Sequence, residues 1–166
     1  MKKKNPGKAA KHEFYRVLGA ALAQWYGVEM WLFKIFDRMT GAPTPNNSAI
    51  FYAVINAKTR LEMMNELALV VLRHDTTLSK EWIKLSEKVK DKSKKRNHIA
   101  HYMPHVDLRV PDINKIWRLE PHQHDITSRA KKNPQIYDTH RIEETGAEFK
   151  MLAKSLEEFF AKVPSP

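Results

Sequence analysis

Phe14, Val17, Leu18, Ala21, Leu22 and Trp25 recur at steps of three and four, the period of one helical face. Val28, Trp31, Leu32, Ile35, Phe36 and Met39 continue that period beyond Gly27. The pattern predicts one long helix from about Ala9, with Gly27 as the place for a bend. A glycine there costs about 1 kcal/mol in helix propensity, which packing can offset. Thr40-Gly41 stops the run, and Ala42 to Asn47, with two prolines, reads as a loop. Ser48 is the expected N-cap of a second helix. Its apolar stripe is Ile50, Phe51, Val54, Ile55, Leu61, Met64, Ala68, Val71 and Leu72, and His74-Asp75 closes it. Lys58 and Glu62, four apart, are spaced to pair on its surface. Thr77 is the expected cap of a third helix with Trp82, Leu85 and Val89 inward.

After Tyr102 the character changes. Pro104, Pro111, Pro121 and Pro134 prevent a long helix. Ile113–Leu119 and Gln135–Tyr137 read as short strands of a hairpin, with a polar loop from His122 to Asn133 between them. Thr139 is the expected cap of the last helix, whose stripe is Ile142, Phe149, Leu152, Ala153, Leu156, Phe159, Phe160 and Val163. The fold class expected is therefore all-α: a four-to-five-helix up-and-down bundle. A short β-hairpin or irregular insert, about 104–138, precedes the last helix. Residues 1–8 form a disordered basic tail and 9–163 a single helical domain. Trp25, Trp31 and Phe33 read as core or dimer-interface residues rather than a base-stacking platform.

Composition narrows the chemistry. The 166 residues include no cysteine, which removes disulfides, thiolate nucleophiles and Cys-type zinc sites. Lys and Arg number 29 against 19 Asp and Glu, a net charge of +10 that favours anionic partners. No apolar run approaches the roughly 20 residues needed to span a bilayer. No membrane role is expected, and the reading is of a soluble, cytoplasmic protein. Between Lys80 and Arg96 eight basic residues face three acidic ones, net +5. A charge run is ordinarily a solvated face. This one leads directly into the stretch where the chain gathers its chemistry.

That stretch is Lys94-Lys95-Arg96-Asn97-His98-Ile99-Ala100-His101-Tyr102. On a helix Asn97 and His101 are four apart and share a face, while Arg96 lies about 140° round from His101. Arginine presents a planar fork of donors that matches phosphate. Histidine exchanges a proton near neutral pH, and asparagine can fix the imidazole or the ligand. Together they suit metal-free cleavage of an RNA phosphodiester, in which the 2′-hydroxyl is an internal nucleophile. Arg96, His101 and Asn97 are the candidate catalytic set. Lys92, Lys94, Lys95, His98 and Tyr102 are the candidate nucleic-acid contacts. The long Arg96 side chain or a local bend must bring the guanidinium round to His101, or a second subunit could supply it.

Arg96-Asn97-His98-Ile99-Ala100-His101 resembles the R-x4-6-H signature of the HEPN superfamily (higher eukaryotes and prokaryotes nucleotide-binding domain). A polar residue, often asparagine, commonly follows that arginine, as Asn97 does here. The likeness extends in helix order over roughly Phe14 to Val163, although the sharp motif is six residues. It implies a HEPN-like helical domain, a homodimer with two motifs lining one cleft, and metal-independent ribonuclease activity. It also implies the toxin–antitoxin or defence setting that such proteins occupy. Arg96 and His101 would be catalytic and Asn97 supporting, with RNA as partner and no cofactor. One antitoxin-linked group carries a tyrosine two positions after the histidine. Here Tyr102 is adjacent and Met103 holds that place, so the pattern departs from that group.

Three other readings compete. A non-catalytic dimeric module would hold RNA, a nucleotide or an antitoxin-like protein partner in the same basic cleft. A structural adaptor without nucleic acid would bind its partner regardless of salt. His98, His101 and His105, or His122 and His124, could ligate a metal, but Pro104 disrupts the helical spacing and no carboxylate completes a familiar motif. The expectation is no metal.

Overall fold

The structure is a computed structural model describing residues 6–112, 116–121 and 135–164. The described residues are mostly helical. Five helices, α1 (Pro6–Thr40), α2 (Thr44–Ala53), α3 (Ala57–Val71), α4 (Thr76–His101) and α5 (Thr139–Phe160), accompany three short strands. The strands are β1 (Met103–Val106), β2 (Trp117–Glu120) and β3 (Tyr137–Asp138). A mainly helical chain with a short strand insert before the last helix is what the periodicity calls for. The helical part of the basic N-terminal stretch begins at Pro6, earlier than the apolar pattern does.

Two helix boundaries differ from expectation for local reasons. The second predicted helix is two helices, because residues 54–56 leave the helical conformation and Asn56 caps α3. The Asn56 side chain accepts N–H donors from Lys58 at 2.9 Å and Thr59 at 3.3 Å. That break turns Ile50 and Ile55 out of the predicted stripe, and both are exposed. Part of the predicted loop is helix: α2 starts at Thr44 with Pro43 at the cap position, so Ser48 lies inside it. A proline in the first turn loses no hydrogen bond there. Aspartates, not the predicted threonines, cap α4 and α5. Asp75 accepts from the backbone of Thr77 and Leu78 at 3.0 and 2.9 Å, and Asp138 accepts from Arg141 at 2.8 Å. α1 ends where expected, at Gly41 with φ 63°, whose N–H donates to the Asp37 carbonyl at 3.3 Å.

The chain forms two compact units. Residues 25–93 and 149–166 make one and residues 1–24 and 94–148 the other, so α1, α4 and α5 each pass through both. The first is a bundle of helices joined by aromatic contacts. Trp25 meets Phe149 at 5.1 Å between ring centroids, Phe36 meets Phe51 at 5.4 Å, and Trp82 meets Phe159 at 5.6 Å. Trp25, Trp31 and Phe33 all pack on other rings here.

The other unit holds the sheet, antiparallel in the order β1-β2-β3. Three strands replace the predicted hairpin, because Met103–Val106 also pairs. Pro104 is tolerated there because β1 is an edge strand. Pro104, Leu119 and Tyr137 align across the sheet, and Leu119 and Tyr137 are buried on its inner face with Phe14, Val17, Ile99 and Ile142 also buried in this unit. The opposite face carries Met103, His105, Arg118 and Glu120. Gly146 of α5 approaches α1 closely: a Cβ there would lie 3.1 Å from the Ala21 Cα. The predicted strand start at 113–115, and the predicted loop with His122 and His124, lie outside the described residues.

Candidate functional site

α4 remains helical to His101, so the motif sits on its last two turns. Ile99 is buried and anchors this end, which directs the flanking positions outward. Asn97 and His101, one turn apart on one face, are both exposed. Arg96 is half-buried, and its Nη1 donates to the Asn97 amide oxygen at 3.2 Å. This contact ties the guanidinium to Asn97 and leaves the asparagine's N–H groups for another acceptor. The His101 ring makes no hydrogen bond among the described residues.

The predicted nucleic-acid contacts divide. Lys95 is held by Glu148 at 2.6 Å, with both side chains about one-third exposed, so its charge is compensated. Lys94 is exposed and Lys92 half-buried, and neither lacks a partner. His98 is turned inward. Its Nδ1 lies 3.1 Å from the Tyr137 hydroxyl, and its ring stacks on Tyr102 with centroids 4.8 Å apart and planes 18° apart. Burial pushes the Tyr137 phenol up to about 12, so it is protonated at neutral pH and can donate to His98. Of the eight predicted residues, Arg96, Asn97 and His101 present polar groups at the helix end. His98 and Tyr102 pack that end onto the sheet.

Sequence reasoning missed Tyr137 and Glu148. They meet α4 from 39 and 53 residues away, and no local periodicity encodes such contacts.

A second polar cluster follows directly. Asp107, nearly buried after β1, accepts from Arg109 Nε at 2.9 Å and Nη2 at 3.1 Å, and from the Arg109 backbone at 3.0 Å. Arg118 Nη2 adds a contact at 3.0 Å, and Arg118 also binds Glu120. The Arg109 side chain foremost, then its backbone N–H, holds the Asp107 carboxyl well below the usual carboxylate range. This network ties residues 107–109 to Arg118 of β2. Among the described residues no group of three or more His, Asp or Glu side chains could hold a metal ion, and no helix is long and apolar enough to cross a membrane.

The aromatic bundle also has a cavity of about 120 Å³ against Trp25, Leu32 and Met64. Two of its polar groups hold indoles: Glu29 accepts the Trp25 N–H and Asn65 accepts that of Trp82, both at 3.0 Å. The acid–base groups are at the end of α4. Compared with known proteins, the chain matches no family model, and no curated protein or solved structure is significantly similar to it.

Proposed function

We propose that this chain is a HEPN-like, metal-independent endoribonuclease whose site is completed by a second copy. One observation carries the reading: an exposed histidine ends α4 with Asn97 one turn before it, and Asn97 is bonded to the Arg96 guanidinium. Arg96 and His101 leave the helix about 140° apart, and the Arg96 guanidinium is bonded at 3.2 Å to Asn97, on the His101 face. Two copies facing across a cleft would pair the arginine of each with the histidine of the other.

His101 takes the 2′-hydroxyl proton as the 2′-oxygen attacks phosphorus. The bond from phosphorus to the 5′-oxygen breaks, and the second copy's His101 returns a proton to that oxygen. Arg96 stabilises the charge growing on the non-bridging oxygens, and the Asn97 N–H groups orient one of them. The products are a 2′,3′-cyclic phosphate and a 5′-hydroxyl. The test is cleavage of end-labelled RNA by the purified full chain in EDTA. His101→Ala should abolish it while preserving fold and oligomeric state. Cleavage that persists in the variant overturns the reading.

One observation favours a second reading. A general base is ordinarily oriented by a third group, and His101 has no such partner among the described residues. A non-catalytic module would hold RNA at the same surface through Arg96. Intact RNA bound equally by wild type and His101→Ala, with affinity falling steeply as salt rises, would select it.

A further inference from the structure

The cavity in the aromatic bundle is unused by the chemistry above, and every residue that lines it belongs to that one unit. Trp25, Leu32, Leu61, Met64 and Val89, none more than 9% exposed, form its apolar wall. Its volume of about 120 Å³ is on the scale of a cavity of roughly 150 Å³ that takes benzene. The apolar part of an occupant is therefore one small ring or a branched alkyl group.

Three half-buried polar side chains line the same space, and in each the protein engages one part and leaves another over. Glu29 accepts the Trp25 indole N–H through Oε1, and its Oε2 meets no donor among the described residues. Asn65 accepts the Trp82 indole N–H through Oδ1, which leaves its Nδ2 hydrogens without an acceptor among them. Arg60 donates from Nε at 3.1 Å and Nη2 at 2.7 Å to the Val54 carbonyl, and its Cζ lies 4.8 Å from the Phe51 ring centroid. Its Nη1 is left over. None of these three atoms is buried without a partner, so each is reached from solvent. Side chains already oriented by the protein lose little freedom when a ligand arrives.

The groups left over are one anionic acceptor, one neutral donor and one cationic donor. Lys58 and Glu62, which also line the cavity, are paired at 3.6 Å, and Lys90 is an exposed cation. A purely cationic ligand would be repelled by Arg60 and a purely anionic one by Glu29. A small body with both charges beside an apolar group suits the whole lining. We infer that the cavity binds a free α-amino acid with an apolar side chain, such as leucine, methionine or phenylalanine. The ammonium bonds to Glu29, the carboxylate takes the Arg60 and Asn65 donors, and the side chain lies against the apolar wall. Neither the site nor its ligand depends on the nuclease reading.

The test is isothermal titration calorimetry of the full chain with L-leucine, L-methionine and L-phenylalanine. At least one should bind with Kd below about 1 mM and raise the thermal midpoint. For L-leucine, two analogues dissect the contacts on the wild-type chain. Isoamylamine lacks the carboxylate and isocaproate lacks the ammonium, and each should bind at least about tenfold more weakly. Glu29→Gln and Asn65→Asp both keep the oxygen that holds the indole, and circular dichroism checks their folding. Glu29→Gln should weaken amino-acid binding about ten- to hundredfold without weakening isocaproate. Asn65→Asp, which sets a second carboxylate against that of the ligand, should weaken it about tenfold. No binding of any of the three amino acids, an analogue that binds as tightly as L-leucine, or unchanged affinity in either folded variant would each overturn the inference. No readout here involves RNA, so the two proposals stand or fall separately.

Discussion

The two units differ in how far aromatic packing carries them. The aromatic bundle, with net charge +3, is held by ring-on-ring packing of Trp25, Trp82, Phe149 and Phe159. The sheet-bearing unit buries fewer large rings and also ties its elements with polar contacts. Lys95 to Glu148, Asp107 to Arg109 and Arg118, and His98 to Tyr137 are the examples. The lesson is that apolar burial, which is nondirectional, makes the scaffold, while directional polar contacts place the end of α4 that offers chemistry. Asp107 and Tyr137, the one held low and the other raised, both lie in the sheet-bearing unit, so acid and alkali should act there.

The largest expected effect is on activity alone. His101→Ala should lower RNA cleavage by about 10²- to 10⁴-fold, measured in EDTA, with an unchanged thermal midpoint. An appreciable fall in midpoint would mean that the exposed histidine also holds the fold together. Next, Phe159→Ala should cost about 3–5 kcal/mol in urea denaturation, because it empties a fully buried site against Trp82. Hydrogen exchange should then rise first in the aromatic bundle. Exchange rising first at residues 103–120 would contradict the division of labour.

The third effect concerns pH. The folded Asp107 carboxyl is held below its unfolded value of about 3.9, so its contribution is present above that pH and lost as pH falls below it. Asp107→Asn should be less stable than wild type at neutral pH, and the gap should shrink below about pH 4, read from thermal midpoints. A gap constant from pH 7 to pH 2 would refute the assignment. The smallest effect is Tyr137→Phe, about 1 kcal/mol at neutral pH from losing the bond to His98. Burial raises the folded phenol to about 12, above the unfolded value of about 10, so wild type also loses stability as pH rises between them. The variant should escape that alkaline loss.

Much of this architecture is legible in the sequence, and the failures are instructive. The stripes of α1 and α5 are readable because a buried face repeats every three to four residues whatever it packs against. Caps are harder. At Asp75-Thr76-Thr77 and at Asp138-Thr139 two kinds of capping side chain are neighbours, and their competition is decided by backbone geometry. The helix break at 54–56 was hidden by apolar Val54 and Ile55, which continue the stripe in sequence while Ile55 faces solvent. At the site, the cluster of Arg96, Asn97 and His101 is evident from spacing. The inward turn of His98 is not, because its partner Tyr137 arrives only when β3 pairs with β2.

At Gly146 the backbone of α5 comes up against the backbone of α1 at Ala21. A methyl at 146 would lie 3.1 Å from the Ala21 Cα and 3.2 Å from its Cβ, and glycine at 21 would remove only the second of these contacts. Gly146→Ala should therefore force the two helices apart by a few tenths of an ångström whether alanine or glycine stands at 21, a constraint that neither helix's own periodicity expresses.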